Sequence, residues 1–217
     1  MDQVASPPLL AYEIGLREAS YHTIVGLDEV GRGALAGPIV AAAVVLPPDV
    51  SNLSGLWNDV CDSKTLTPRK REQLARHIEE HACHVAVASL DAPVIDRIGI
   101  GPANRRVMEL ALEQIEVECR PDFLLLDAIT IESEHPQIGI IDGDARSLSI
   151  AAASIVAKVH RDTIMQELSI DWPHYCWDRN KGYGVAQHLA AIRSVGPCVH
   201  HRKSFRPVSE CRAVSRA

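Results

Sequence analysis

The residues Val25-Gly26-Leu27-Asp28-Glu29-Val30-Gly31-Arg32-Gly33 constrain this chain more than any other stretch. An apolar lead-in from Thr23 to Leu27 reads as a strand entering a core, and it ends on two adjacent carboxylates. Adjacent acids at the end of a buried strand are costly unless a cation stands between them. A hard divalent metal meets that need, because carboxylate oxygens suit Mg²⁺ or Mn²⁺. Gly31 and Gly33 strip side chains from the backbone beside such a metal. An anionic substrate could then reach the amide N–H groups, with Arg32 facing its phosphates. An Asp-Glu pair alone is an ordinary solvated corner. The constraint lies in the whole string, which continues through Gly37-Pro38 into the apolar run Ile39 to Leu46.

A chain of 217 residues with 47% apolar content can bury one full core. No apolar run approaches the roughly 18 residues of a membrane span. The N-terminus has no basic start followed by a long apolar segment, so no secretory signal is expected. None of the six cysteines forms a Cys-x-x-Cys pair, which argues against a zinc ribbon or dithiol site and suits a reducing cytoplasm. The net charge of −6 is unusual for a protein that meets nucleic acid, but it is unevenly spread. From Lys158 onward ten Lys and Arg stand against five acids, so this segment carries +5 and the rest −11. A basic C-terminal region beside an acidic body can hold a phosphate backbone next to a carboxylate site; a solvated basic tail fits the charge equally well.

The pattern along the chain reads as an α/β layer. Residues 1–20 form a loose lead-in. Thr23–Glu29 and Ile39–Leu46 are buried strands, and Leu53–Leu66 is a loop. Thr67 caps a helix with Pro68 at its first position, running to about His81. His84–Leu90 alternates as a strand. A helical stretch from Asp91 breaks near Gly99–Pro102 and resumes over Ala103–Val117. Phe123–Leu126 and Ile138–Ile141 are short strands that stop at Asp127 and before Asp142-Gly143-Asp144. Ser149–Leu168 is a long helix, and Val185–Ser194 another, ended by Gly196-Pro197. This predicts a central mixed sheet flanked by helices, with a helical, basic C-terminal region. Residues 21–168 form the core, and 169–217 extend the same domain. Asp28/Glu29, Asp127 and Asp144 lie at or beyond strand ends, where ligands gather in open α/β sheets.

Each of the later acids is unremarkable alone: Asp127 could be a turn residue, and Asp144 gains from a nearby helix N-terminus. Together with Ser149-Ile150-Ala151-Ala152-Ala153-Ser154-Ile155-Val156-Ala157-Lys158-Val159 and Arg161-Asp162 they form a set. Ser154, Lys158 and Asp162, four apart, share one face of that helix and make a polar stripe that could point at the site. His77, His81 and His84 mimic a zinc site, but His77-Ile78-Glu79-Glu80-His81 lacks the Glu that would follow the first His.

The Asp28–Pro38 string and the Ser149–Asp162 string resemble two signatures of ribonuclease HII, the bacterial type 2 ribonuclease H. Asp62-Ser63-Lys64, Asn180-Lys181-Gly182-Tyr183-Gly184 and His201-Arg202-Lys203-Ser204-Phe205 resemble further segments of that family. The likeness spans about Gly26 to Pro207. It implies a ribonuclease H-like fold. It also implies an endoribonuclease that cuts the RNA strand of RNA/DNA hybrids and single ribonucleotides embedded in duplex DNA, leaving 5′-phosphate and 3′-OH. The resemblance places four metal-binding, catalytic carboxylates on Asp28, Glu29, Asp127 and Asp144, holding two Mg²⁺ or Mn²⁺ ions. It places a 2′-OH-reading element on Gly31, Arg32 and Gly33, a sugar-packing ring on Tyr183, and phosphate contacts on Lys64 and Lys181. Ser154, Lys158 and Asp162 would support the site from the helix. A cytoplasmic monomer with no membrane partner is expected. The chain departs from the family at two single residues, Asp142 where Lys is usual and Ala128 where Gly is usual, and in the less regular segment Trp172-Pro173-His174-Tyr175-Cys176-Trp177 before Asn180. A DNA junction resolvase of the same fold and an inactive hybrid-binding module are the alternatives.

Overall fold

The computed structural model describes residues 9–48 and 55–211. Its centre is a five-stranded sheet of strand order β3-β2-β1-β4-β5. β1 (Ile24–Val30), β2 (Ile39–Val45) and β3 (His84–Leu90) form an antiparallel meander. β4 (Phe123–Asp127) and β5 (Gln137–Ile140) add in parallel to the other side of β1. Every residue of β2 is buried, and its Ala41-Ala42-Ala43 centre keeps both faces low for close helix packing.

Two helical layers cover the sheet. α5 (Leu148–Asp171) lies across one face with α2 (Pro68–His81) beside it, burying Val40, Ala42, Val44, Leu74, Ile78 and the alanines of α5 together. α3 (Ala92–Ile98) and α4 (Ile100–Glu118) cover the other face over Val25, Leu27, Ile39 and Leu126. Each fully buried Leu, Ile or Val contributes about 1.5–3 kcal/mol by leaving water. Gly26 is required by this contact, because a Cβ there would collide with the backbone carbonyl of Ser149. The polypeptide beyond α5 folds into α6 (Trp177–Asn180) and α7 (Ala186–Val195), which bury Tyr175, Trp177 and Ile192 against Leu35 and Ala36.

Most elements match the sequence reading, and the differences have local causes. Residues 1–8, 49–54 and 212–217 lie outside the described residues, so part of the expected lead-in and loop falls there. The rest of the lead-in is no loose segment. It forms α1 (Ala11–Glu18), whose Glu13 is 1% exposed and accepts from Ser147 Oγ (2.7 Å), Ser149 N (2.9 Å) and Ser149 Oγ (2.8 Å). A buried carboxylate at the start of α5 gains from the free amides and dipole there, which ties α1 down. The break before α4 falls on Gly99 alone, at φ 83°; Pro102 fits the first turn of α4, where its missing N–H costs nothing. β5 ends one residue earlier than expected, leaving Ile141 71% exposed. The expected 53–66 loop contains a 3₁₀ turn, Gly55–Asp59, that buries Trp57. No described helix is long and apolar enough to cross a membrane.

Candidate active site

β1 places its two acids on opposite sides of the sheet, because side chains alternate along a strand. Asp28 is 5% exposed and turns toward α5, where Ser154 hydrogen-bonds it. Glu29 turns toward α4, where the buried Asn104 hydrogen-bonds it. Asp127 ends the neighbouring parallel strand, β4, with Oδ1 accepting from Gly143 N at 2.7 Å. Asp144 sits in the 3₁₀ turn Gly143–Ala145 that leads into α5 and is also 5% exposed.

The four acids feel one another. Burial pushes the Asp28 carboxyl well above the usual range; the charges of Glu29, Asp127 and Asp144 add to this, and Ser154 opposes it. Burial, then Asp127, raises Glu29, against Arg32. Burial, then Asp144, raises Asp127, against the Gly143 amide and Lys64. Lys64 answers this crowding: its Nζ lies 3.0 Å from Asp144 Oδ2, and that contact raises its own pKa.

Among the described residues no three His, Cys, Asp or Glu side chains already converge closely enough to hold an ion. Several of their oxygens are instead tied to protein donors, including Asp28 Oδ1 to its neighbour Glu29 N at 2.7 Å. The set fits a hard divalent cation in kind. All four donors are carboxylates, repulsion within the set helps raise Asp28, Glu29 and Asp127, and an ammonium group stands in on Asp144. The His77–His81 pair is no such site: the ring centroids lie 4.2 Å apart with the planes tilted by 31°, and His77 packs edge-on against Trp57.

A second group of residues lies beside the acids. Gly31 takes φ 93°, Arg32 is exposed, and the loop they begin is sewn to the Gly182–Tyr183 segment by Leu35 N to Gly182 O at 2.8 Å. Two buried arginines fasten this pair of loops. Arg161 donates to Pro38 O (2.9 Å), Ala36 O (3.1 Å) and Lys181 O (2.9 Å), and its guanidinium lies 5.3 Å from the Tyr183 ring centroid. Arg202 donates to Arg32 O (2.9 Å) and twice to Gly37 O (3.1 and 3.2 Å). Both are 0% exposed, and neither forms an ion pair with a described carboxylate. Burial, then Arg161, pulls the Arg202 guanidinium down to about 9. Two buried positive charges, felt by Asp162 and Asp96 without a direct ion pair, thus lie behind a loop that faces outward with an exposed arginine, an arrangement that favours anions.

The sequence counted Arg161 and Arg202 among the cations of a basic region. Their role is internal, and only their burial reveals it. Asn104 and His188 were missed as well, because no motif marks them. Lys181 Nζ turns back to Asp178 O at 2.7 Å, so the structure brings Lys64, and not Lys181, to the carboxylates. Ser154 reaches the site and also Ser63 Oγ at 3.0 Å. Lys158 and Asp162 pair with each other (2.7 Å), and Asp162 with Arg71 (3.6 Å). Asp162 and Arg71 line a cavity of about 290 Å³ with Arg179 and Lys181. A larger cavity of about 440 Å³, rimmed by Glu109, Glu113 and Glu116 of α4, holds none of the site residues.

The two single-residue departures from the family pattern both adopt left-handed backbone: Ala128 at φ 58° and Asp142 at φ 54°. Glycine suits such a position without strain; alanine costs about 1–2 kcal/mol, and aspartate less because its side chain can bond locally.

The sequence matches the family model described as ribonuclease HII over residues 25–208. The chain belongs to the ribonuclease HII family. It is therefore a ribonuclease H, an endonuclease among the hydrolases. It is 49% identical over 192 residues to a ribonuclease HII of Lactobacillus delbrueckii subsp. bulgaricus, covering 88% of this chain and 72% of that one. It is 46% identical over 203 residues to a ribonuclease HII of Dehalococcoides mccartyi, covering 93% of each. Its fold is ribonuclease H-like. It overlays RNase HII from the PCNA:RNase HII complex of Archaeoglobus fulgidus with a TM-score of 0.70 at 23% identity, covering 87% of this chain and 96% of that one. It overlays Bst-RNase HIII in complex with Mn²⁺ with a TM-score of 0.67 at 24% identity, covering 87% and 68%.

Proposed function

We propose that this ribonuclease HII cuts the RNA strand of RNA/DNA hybrids and the backbone at single ribonucleotides embedded in duplex DNA, leaving 5′-phosphate and 3′-OH. The observation that carries the reading is the carboxylate cluster at the ends of β1 and β4, beside a loop open to an anion. Asp28, Glu29, Asp127 and Asp144 would hold two Mg²⁺ or Mn²⁺ ions. Such ions, when bound, supply Lewis acidity to the attacking water and the departing O3′. Gly31, Arg32 and Gly33 present backbone to the ribose 2′-OH, the group that separates RNA from DNA at a given position. Tyr183, half-buried on the facing loop, packs on the sugar beside the ribonucleotide. Lys64 leaves Asp144 to meet a substrate phosphate, and Lys181 meets another farther along the strand. Ser154 orients Asp28; Lys158 and Asp162 support that helix face and the adjoining cavity.

The same reading takes the protein as a cytoplasmic monomer, which sedimentation at assay concentration would test. The activity test is a duplex carrying one embedded ribonucleotide, incubated with Mg²⁺, with Mn²⁺ and with chelator. Metal-dependent cleavage on the 5′ side of the ribonucleotide is expected. Absence of cleavage with either metal, or equal cleavage of all-DNA four-way junctions, overturns the reading.

A further inference from the structure

The buried histidines beneath Tyr183 have no part in the chemistry described so far. His188 and His201 are 0% and 1% exposed, enclosed by Tyr175, Trp177 and Cys198. Their hydrogen bonds permit one arrangement of protons. Trp177 Nε1 can only donate, and it lies 3.1 Å from His188 Nε2, so that nitrogen accepts. The His188 proton is then on Nδ1, which donates to Tyr183 O at 2.9 Å. Cys198 N donates to His201 Nδ1 at 3.0 Å, so the neutral His201 carries its proton on Nε2, 3.1 Å from His188 Nε2, where it shares that nitrogen's single lone pair with the Trp177 Nε1 proton. These tautomers follow from the donors around the rings. Burial and the neighbouring His188 keep the His201 ring neutral, with its pKa pulled down to about 3.

This line of bonds joins both arms of the loop pair. Its far end, His201, forms an antiparallel bridge with Ala36, downstream of Gly31-Arg32-Gly33, and its near end is the Tyr183 carbonyl. That carbonyl also accepts from Val185 N at 2.9 Å, so both of its lone pairs are engaged.

We infer that the Cys198–His201–His188 hydrogen-bond line is a positioning device that sets the distance between Tyr183 and the Gly31–Gly33 backbone, and thereby the selectivity for a lone ribonucleotide. A continuous hybrid offers a 2′-OH at every step of its RNA strand, so a displaced ring still finds a productive register. A single ribonucleotide offers one, and a displaced ring misses it. The inference rests on the reading of Tyr183 given above. His188 and His201 touch no substrate; they act through Tyr183.

The test compares His188→Leu and His188→Asn on two substrates, the single-ribonucleotide duplex and the continuous RNA/DNA hybrid. Leucine fills the space and removes the bond to Tyr183 O; asparagine keeps an amide donor near the Nδ1 position. The expected result for His188→Leu is a loss of kcat/KM on the single ribonucleotide about tenfold larger than on the hybrid, with most of the difference recovered in His188→Asn. Equal losses on both substrates, or no recovery by asparagine, overturn the inference. Tyr183→Ala serves as the reference. If it is selective and His188→Leu is not, the inference alone fails; if Tyr183→Ala harms both substrates equally, the reading of Tyr183 falls and the inference with it. Should His188→Leu fail to fold, ¹⁵N NMR of the wild-type imidazoles decides. Protonated Nδ1 in His188 with protonated Nε2 in His201 is expected, and the reverse assignment in either ring overturns the inference.

Discussion

Gly31→Ala probes the fastening of the Gly31–Gly33 loop with a single methyl group. Gly31 holds φ 93°, a conformation that costs a side-chain-bearing residue about 1–3 kcal/mol. The added Cβ would also collide with Nε of Arg161 and lie 2.7 Å from its Cδ and 2.9 Å from its Cζ. Arg161 cannot swing away freely, because its three nitrogens are bonded to the carbonyls of Pro38, Ala36 and Lys181. Relief of the clash gives up at least one of these charge-assisted bonds, worth about 1.5–3 kcal/mol. The two effects together amount to about 2.5–6 kcal/mol. For a chain of this length each kcal/mol moves Tm by about 2–4 °C, so a fall of roughly 5–24 °C is expected. The assay is thermal melting without metal, paired with cleavage of the single-ribonucleotide duplex below the variant's Tm. Cleavage should fall even where the protein remains folded, because Arg161 also braces Lys181 and Tyr183. In an Arg161→Leu background the same Gly31→Ala change should cost less than half as much, since residues in contact are not additive. A Tm within about 2 °C of wild type, or full additivity with Arg161→Leu, would refute the argument.

Asp28→Asn or Asp127→Asn should lower cleavage by at least about a thousandfold, since charge terms of that size are typical of such centres. Metal-free Asp28→Asn should melt no lower than wild type, because it removes a buried charge repelled by Glu29, Asp127 and Asp144; a large fall in Tm would contradict this. Burial and mutual repulsion raise the Asp28, Glu29 and Asp127 carboxyls, so the folded state binds protons that the unfolded chain has released above about pH 4. These groups therefore make metal-free stability fall as pH rises from about 4 through their raised values, and Mn²⁺ binding at neutral pH should release protons and raise Tm. Calorimetry in buffers of differing ionisation enthalpy measures that release, and a buffer-independent heat would count against it. Asp142, exposed and near enough to raise Asp127, repels an approaching duplex. Asp142→Lys should tighten hybrid binding in Ca²⁺ and steepen its salt dependence by up to about one phosphate contact; an unchanged slope would mean the side chain points elsewhere.

The strand-end acids were legible because their chemistry is local. An apolar run that stops on a carboxylate needs no tertiary knowledge, and Asp28, Asp127 and Asp144 each end such a run or the turn after it. The three early strands were legible from the apolar runs Thr23–Glu29 and Ile39–Leu46 and from the alternation of His84–Leu90, but their antiparallel order came only with the structure. What escaped depends on burial decided elsewhere. Glu13 looked like one more acid in a short polar segment; its carboxylate is spent on the start of α5, far along the chain. Arg161 and Arg202 carry the same formal charge in the sequence as any solvated cation, and only the carbonyls that converge on them show that their charge is used inside. His188 and His201 gave no signal, because a buried histidine pair is recognisable only when its neighbours are known. Lys158 and Asp162 do share a helix face, but that face turns from Ser154 at the acids toward Arg71 farther along, which spacing alone could not separate.

The position of β1 in the sheet also orders events during synthesis. β1 can pair with β2 as soon as the hairpin has emerged, but its other edge waits for Phe123 and the residues after it. A ribosome travelling from residue 28 to residue 144 at about 5–20 residues per second takes roughly 6–23 s. Throughout that interval Asp28 and Glu29 stand at the end of a half-made sheet, with neither Asp127 nor Asp144 beside them. Arg202, which ties down the carbonyl of Arg32, emerges later still. Translation products that stop before Arg202 are therefore expected to be inert toward nucleic acid, and the nuclease is assembled only after that residue has emerged.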